Sequence, residues 1–341
     1  MEDGLNMSQV TKLFDQMSSF ENLVLSFKEC SRGKKAKRGY QKYLFAYGEK
    51  LKSIEEELKT TNNFQWGRYR RFDVYEPKKR IVMAAPFRDR VVHTAIHRVT
   101  FPILDQTMGV RTFACRYNMG NLNAVIRLQE QLKIMGKDRY CIKLDVKKYF
   151  ESIPHELLLN RFLDMLPDES LGKILKSLLA SYPDYAKLKR GIPIGNLTSQ
   201  LFANFYLSSI DQLSCKMLDI NFEQDSKEKH AFYIRYMDDM VILANSKKKA
   251  FEVAVALVKH ASEDLQLIIP PQKMMVIAAD PIPFLGFVLN HDGIRALRRN
   301  EQRFAKKLIR ADKAGANESL KAQMVLSFES WRNLGNMENL V

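Results

Sequence analysis

Cysteine is scarce in this 341-residue chain, and long apolar runs are missing altogether. The four cysteines, Cys30, Cys115, Cys141 and Cys215, are scattered, with no CxxC pair. That spacing supports neither a zinc knuckle nor a disulfide framework, and it fits a reducing cytoplasmic compartment. No uncharged apolar stretch reaches the ~18 residues needed to span a membrane. The least polar one, Met274 to Asn290, is interrupted by Asp280, Pro281 and Pro283. The N-terminal MEDGLNMSQV shows no basic region followed by an apolar run, so no signal peptide is expected. Internal repeats and low-complexity tracts are lacking too. What remains is an ordinary globular composition, 46% hydrophobic and 27% charged. The length allows one large multi-lobed domain or two ordinary ones.

Positive charge is in excess, with 54 Lys and Arg against 39 Asp and Glu, a net of +15. Residues 28–90 carry 18 basic and 8 acidic side chains, residues 295–313 carry 8 and 2, and the rest sums to −1. Two basic segments flanking a near-neutral middle read as two polyanion-binding surfaces. A solvated basic face without a partner is the plainer alternative. A membrane surface suits the first segment less well, because Tyr40, Tyr43, Trp66 and Tyr69 interleave it without forming an amphipathic stripe.

Residues 1 to about 60 read as polar helix. Trp66 to Val82 alternates as β structure, and Phe87 to Leu104 reads as a helix. A compact α/β zone runs from about Asp138 to Asn290, and a basic amphipathic helix from about Arg295 to Lys313 opens the last zone. Within the α/β zone, Ile142, Leu144 and Val146 alternate with Lys143 and Asp145, which places a carboxylate on the open face at a strand end. Tyr233 to Leu243 reads as two strands joined by a tight turn, Met237-Asp238-Asp239. The apolar positions Phe251, Val255, Val258 and Leu265 predict a helix that packs beneath the sheet.

Adjacent aspartates at a hairpin tip repel each other unless a cation holds them together. Two hard divalent ions roughly 3.5–4 Å apart, sharing carboxylate and phosphate oxygens, solve that problem. They would activate a 3′-hydroxyl and stabilise departing pyrophosphate. Asp145 on a neighbouring strand would complete the clamp, and the carbonyl of Val146 would join it. The alternative for Asp238-Asp239 alone is an ordinary acidic β-turn. His93 and His97 have the i, i+4 spacing of a metal pair, but no partner ligand is evident, and a helix facing the core is the better reading.

Tyr236-Met237-Asp238-Asp239 between two apolar strands, preceded by Lys143-Leu-Asp-Val-Lys-Lys-Tyr-Phe150, resembles the reverse transcriptase family. Arg190-Gly-Ile-Pro-Ile-Gly-Asn-Leu-Thr-Ser-Gln200 stands between them in the family's order. The resemblance covers nearly the whole chain, from the basic N-terminal segment through Pro77-Lys-Lys-Arg80 to Phe284-Leu-Gly286. It implies an α+β right-hand polymerase of fingers, palm and thumb, with a ferredoxin/RRM-like antiparallel palm sheet and a short helical thumb. The implied division is a basic helical segment at 1–65, fingers at 66–137, palm with a fingers insertion at 138–280, and primer grip with short thumb at 281–341.

The resemblance makes Asp145, Asp238 and Asp239 the catalytic carboxylates. With Val146 they would hold two Mg2+ ions, Mn2+ substituting in vitro. Phe150 matches the aromatic steric gate that leaves no room for a 2′-hydroxyl, which favours deoxynucleotides; core packing is its plainer role. Arg80 matches a fingers residue at the incoming nucleotide, and Lys78 or Lys79 would hold the triphosphate, as a planar guanidinium and an ammonium suit. Ile194, Gly195 and Gln200 match the segment that approaches template and incoming base, where a side chain at Gly195 would collide. Lys273 matches a lysine that protonates leaving pyrophosphate. Phe284, Leu285 and Gly286 match the primer grip, and the basic helix after Arg295 matches the thumb.

Ile194, the Ser199-Gln200 ending, EPKKRIVMAAPFRDRVVH, FACR and IGNLTSQLFANFYL resemble the reverse transcriptases of diversity-generating retroelements. That group copies a structured template RNA into cDNA with frequent errors opposite adenine, together with a small basic accessory protein. Arg116-Tyr-Asn-Met-Gly120 lacks that group's basic GKG-like stretch, and Ile153-Pro154-His155 replaces an IDH-like one. Defence-associated bacterial reverse transcriptases share the core and are the alternative reading. A catalytically silent RNA-binding scaffold is a remoter one. No length is left for an RNase H domain, an integrase or a complete HNH nuclease, so such functions are expected in trans. The expected partners are template RNA, the RNA/DNA duplex and dNTPs, with no membrane.

Overall fold

The computed structural model describes residues 12–75, 79–137, 139–271, 274–278 and 281–333. In chain order, helices α1 (Leu13–Ser18), α2 (Phe20–Cys30), α3 (Arg38–Leu44) and α4 (Tyr47–Thr61) precede strands β1 (Arg70–Tyr75) and β2 (Lys79–Ala84). Helices α5 (Phe87–Asp105) and α6 (Asn121–Met135) lead into strand β3 (Tyr140–Asp145). Helices α7 (Tyr149–Ser152), α8 (His155–Met165), α9 (Glu169–Ala180), α10 (Leu197–Tyr206) and α11 (Ser208–Leu218) follow. Next come β4 (Ala231–Tyr236), β5 (Asp239–Ala244), α12 (Lys247–Glu263) and β6 (Met275–Ala278). The described chain closes with β7 (Ile282–Phe284), β8 (Phe287–Asn290), β9 (Gly293–Ala296), α13 (Arg298–Lys313) and α14 (Glu318–Arg332). Two units result, Met1–Gly109 with Val146–Ile210 and Lys259–Ile268, and Val110–Asp145 with Asp211–Val258 and Ile269–Val341.

In the first unit, β1 and β2 form an antiparallel hairpin from Arg70↔Ala84 to Tyr75↔Lys79, as the alternation over Trp66–Val82 predicts. Helix α5 is its spine. Val91, Val92, Ala95, Ile96 and Leu104 are fully buried, and α2 and α10 pack against it. Helix α9 shows how sequence sets a local start. The Asp168 side chain accepts from the Leu171 amide at 2.9 Å, a cap of the kind worth about 1 kcal/mol. Its other oxygen accepts from the Phe14 amide at 2.8 Å, tying α1 to the same carboxylate. Leu171, Ile174, Leu175 and Leu178 then form the buried stripe.

The second unit is built on a four-stranded antiparallel sheet of order β4-β5-β3-β6. Its core joins Leu128 and Leu132 of α6 to Phe232, Ile234, Val241 and Leu243, and to Ile282, Phe284, Phe287 and Leu289 of the three-stranded sheet β7-β8-β9. Burying each such side chain contributes roughly 1.5–3 kcal/mol. Strand β3 alternates as its sequence predicts: Ile142 and Leu144 are fully buried, while Lys143 and Asp145 are half-buried.

Two expectations are corrected. The helix predicted from Phe251, Val255, Val258 and Leu265 exists as α12, but Phe251 and Val255 are exposed. Its buried face is Ala250, Val253, Ala254, Leu257 and Ala261. Small alanines allow close approach there, so the larger apolar residues mark the wrong side. The basic helix does not begin at Arg295, which lies in β9 paired with Val288; α13 starts at Arg298 and has no buried residue. None of the four cysteines is in a disulfide. Among the described residues, no helix is long and apolar enough to cross a membrane.

Candidate active site

The three predicted carboxylates come together at one end of the second unit's sheet. Hairpin β4–β5 closes with Tyr236 paired to Asp239, leaving Met237 and Asp238 as the turn. Across the sheet, Asp145 at the end of β3 is the direct partner of Asp239. The Asp238 carboxyl is pushed up from its ordinary 3.8 to about 7. Burial is the main cause, followed by the hydrogen bond to Asp145 and the charge of Asp145; Asp239 adds to it. A carboxyl held protonated by burial against a neighbouring carboxylate marks a place where positive charge would be stabilised.

Two cationic side chains brace this end. The Nζ of Lys143 lies 3.2 Å from an Asp239 oxygen and donates to the Pro283 carbonyl at 2.7 Å. Arg235, next to last in β4, is completely buried. Its Nε and Nη2 each donate to Asp211 of α11 at 2.6 Å, and Nη1 donates to the Met237 carbonyl in the turn at 3.1 Å. Tyr233 and Thr112 hydroxyls donate to the same carboxylate at 2.8 and 2.9 Å. Met237 is held at φ 54°, a left-handed conformation uncommon for a long side chain. The sequence signal for this network was available: an arginine inside the apolar strand AFYIRY needs a buried acid. Asp211, sited on a helix, was not recognised as that acid.

The primer-grip candidates form the two-residue turn between β7 and β8. Phe284 pairs with Phe287 and is buried; Leu285 and Gly286 take φ 47° and 92°. A Cβ at Gly286 would sit 2.8 Å from the Asn300 amide nitrogen. That nitrogen instead donates to the Gly286 carbonyl at 2.9 Å, as does the Leu297 amide, so the turn is fastened to the start of α13.

The first unit gathers the other candidates. The Ile194 carbonyl accepts from the Met83 amide at 2.9 Å, and Ile194 forms an isolated parallel bridge with Val82. Gly195 has φ 116°, and a Cβ there would meet Val82 at 2.7 Å and the Met83 carbonyl at 3.2 Å. Beside them a cleft of about 460 Å³ is lined by Phe72, Val82, Gly195, Asn196 and Gln200, among others. The buried side-chain nitrogen of Asn196 has no hydrogen-bond partner. Phe150 is half-buried in α7, its carbonyl accepting from the Ile192 amide at 2.7 Å. Neighbouring Tyr149 is buried and donates to the Ala203 carbonyl. Arg80 is exposed on β2, and Lys79 pairs with Asp73 at 3.0 Å. Val146 is buried. Lys78 and Lys273 lie outside the described residues.

His93 and His97 serve the core. His93 hydrogen-bonds Thr198 at 2.8 Å, burial lowers its pKa to about 3, and His97 stacks on Phe101 at 4.9 Å. Among the described residues no three His, Cys, Asp or Glu side chains stand ready-arranged around a metal position. The chemistry of the Asp145–Asp238 pair nevertheless fits a hard divalent ion, since carboxylates crowded enough to keep a proton at about pH 7 exchange it for a cation.

Comparison with known proteins places this geometry in a family. The retron Ec73 reverse transcriptase of Escherichia coli is 26% identical over 190 residues, covering 52% of this chain and 56% of its own. The COX1/OXI3 intron 1 protein of Saccharomyces cerevisiae is 24% identical over 220 residues, covering 62% of this chain and 25% of its own. A solved structure of apo telomerase from Candida tropicalis has a TM-score of 0.47 at 12% identity, covering 67% of this chain and 48% of that one. The chain thus spans a quarter to about half the length of these relatives. The sequence model described as reverse transcriptase (RNA-dependent DNA polymerase) matches residues 76–289, more than half of the chain. That span contains Arg80, the three carboxylates and the Phe284-Leu285-Gly286 turn, and the chain belongs to the reverse transcriptase family.

Proposed function

We propose that this chain is an RNA-directed DNA polymerase that copies a structured template RNA into cDNA by two-metal nucleotidyl transfer. The observation that carries the reading is the convergence of Asp145, Asp238 and Asp239 at one sheet end, with Asp238 holding its proton up to about pH 7. In this reading the second unit's sheet is the palm. Its antiparallel order β4-β5-β3-β6 supports the ferredoxin-like palm. Asp145, Asp238 and Asp239, with the Val146 carbonyl, would hold Mg2+, or Mn2+ in vitro. When bound, such ions lower the pKa of a primer 3′-hydroxyl and neutralise charge on the departing pyrophosphate.

The chain's own side chains supply orientation and selection. Phe150 stands beneath the sugar and disfavours a 2′-hydroxyl. Arg80, with Lys78 or Lys79, binds the triphosphate, and Lys273 delivers a proton to pyrophosphate. Gly195 and Gln200 line the cleft that receives template and incoming base, Ile194 adjoins it through Gly195, and the unpartnered Asn196 amide is a further donor. Phe284, Leu285 and Gly286 grip the primer, and α13 is the thumb. The domain division is that of the sequence: 1–65, 66–137, 138–280 and 281–341.

The biological setting we propose is a diversity-generating retroelement, served by a small basic accessory protein. Ile194 favours it, because an isoleucine there gives only apolar contact. A defence-associated role is the second reading. Primer extension tests the polymerase itself. Asp238→Asn removes one anionic ligand and should reduce Mg2+-dependent extension by at least about a thousandfold with RNA binding retained. Wild-type-like extension by that variant would sink the two-metal assignment.

A further inference from the structure

We propose that Lys143 is a positioning residue that ties the third carboxylate to the primer-gripping hairpin, so that the seating of the primer end sets the orientation of Asp239. This rests on the polymerase reading above. The placement is specific. Lys143 sits in a strand flanked on both sides, its backbone paired with Val241 of β5 and Met275 of β6, so its position is fixed by the sheet. Its ammonium spans two groups: an Asp239 oxygen at 3.2 Å and the Pro283 carbonyl at 2.7 Å. It also lies 5.8 Å from the centre of the Phe284 ring.

Only 17% of the Lys143 side chain meets solvent, so both bonds are partly withdrawn from water, where a charge-assisted bond is strong. Pro283 is the residue before Phe284, and its partner across the hairpin is Val288. A shift of the β7–β8 turn therefore moves the Pro283 carbonyl directly. One ammonium on a four-carbon stem cannot follow that carbonyl outward and keep its contact with Asp239. The hairpin that contacts the primer and the carboxylate that serves the reaction thus share one cation. A primer with a mispaired 3′ end, seated badly on the hairpin, would pull Asp239 out of place and slow the next addition.

The test is single-turnover extension by the full chain, in Mg2+, of matched and 3′-mismatched primers on one RNA template. Lys143→Met should slow the matched primer about tenfold, as expected for a catalytic group displaced by a fraction of an ångström, with KM for dNTP within about threefold. On the mismatched primer the loss should stay under about threefold, because the coupling is already broken there. Lys143→Arg should restore most of the matched rate. Without any metal, amide exchange at Ile282 and Phe284 should be faster in Lys143→Met than in wild type. Lys143→Gln, which is uncharged and one bond too short to span both groups, is read the same way if methionine disturbs folding. Equal losses on both primers, or unchanged exchange at Ile282 and Phe284, would overturn the proposal. Failure of the polymerase reading itself looks different: the wild-type chain would then extend neither the matched nor the mismatched primer.

Discussion

The two units hold their candidate site residues by different physical means. In the second unit the carboxylates are braced by charged side chains: Arg235 locked on Asp211 and reaching the Met237 carbonyl, Lys143 bridging Asp239 and Pro283. In the first unit the same task falls to the backbone, through the Ile194 carbonyl on Met83, the Ile192 amide on Phe150, and the glycine at 195 against Val82. The difference follows from what each must do. A cluster of acids repels itself and needs fixed positive charge and a constrained turn. In the proposed function the first unit's surface fits a base and a sugar, which needs shape, and backbone hydrogen bonds fix shape without introducing charge.

The contrast can be broken at its strongest point first. Arg235→Met should leave Asp211 buried without its cation and destabilise the protein by about 3–5 kcal/mol, seen as a large drop in Tm. A fall below about 1 kcal/mol would mean that the ion pair is not what holds the turn. Next comes the acid cluster. Because Asp238 is raised from 3.8 to about 7, the folded, metal-free protein binds more protons than the unfolded chain between those values. That contribution favours folding below about pH 4 and is lost as pH rises through about 7, by at most about 4 kcal/mol. Thermal melts in chelator should therefore show Asp238→Asn gaining on wild type from pH 5 to pH 8. A constant gap would show that the carboxyl is not shifted.

The first unit should respond in selection rather than stability. Phe150→Ala should lower KM for ribonucleotides and cut deoxynucleotide preference about tenfold, or ~1.4 kcal/mol, while Tm changes little. Unchanged discrimination in steady-state incorporation would leave Phe150 a packing residue. The smallest effect is the most informative about biological role. Ile194→Gln adds a directional hydrogen-bonding group beside the cleft and should lower misincorporation severalfold, an effect under ~1.4 kcal/mol. Sequencing cDNA made by both proteins on one template measures it. An identical error spectrum opposite adenine would remove the main residue-level reason for preferring the diversity-generating reading.

Much of this was legible without coordinates where the code is local. Period-two alternation located β3, two short apolar runs about a tight turn located the β4–β5 hairpin, and a helical pattern located α5, because those signals depend only on neighbours in the chain. The buried face of α12 differs from the expected one since three of its five buried residues are alanines, which carry little hydrophobic signal. The strand β9 is only four residues long and ends where the basic segment begins at Arg295, so its pairing leaves little pattern. Arg235 was visible as an anomaly, but its partner was not.

By itself the sequence determined the family and singled out the three candidate acids in their order, because the motifs that carry them are short, contiguous and made of particular residue types. Only the tertiary structure decided which groups brace them. Asp211 reaches Arg235 across 24 positions, Pro283 reaches Lys143 across 140, and Gly195 meets Val82 from far along the chain. Such pairings join segments that no local pattern relates, and the fold alone brings them within hydrogen-bonding distance.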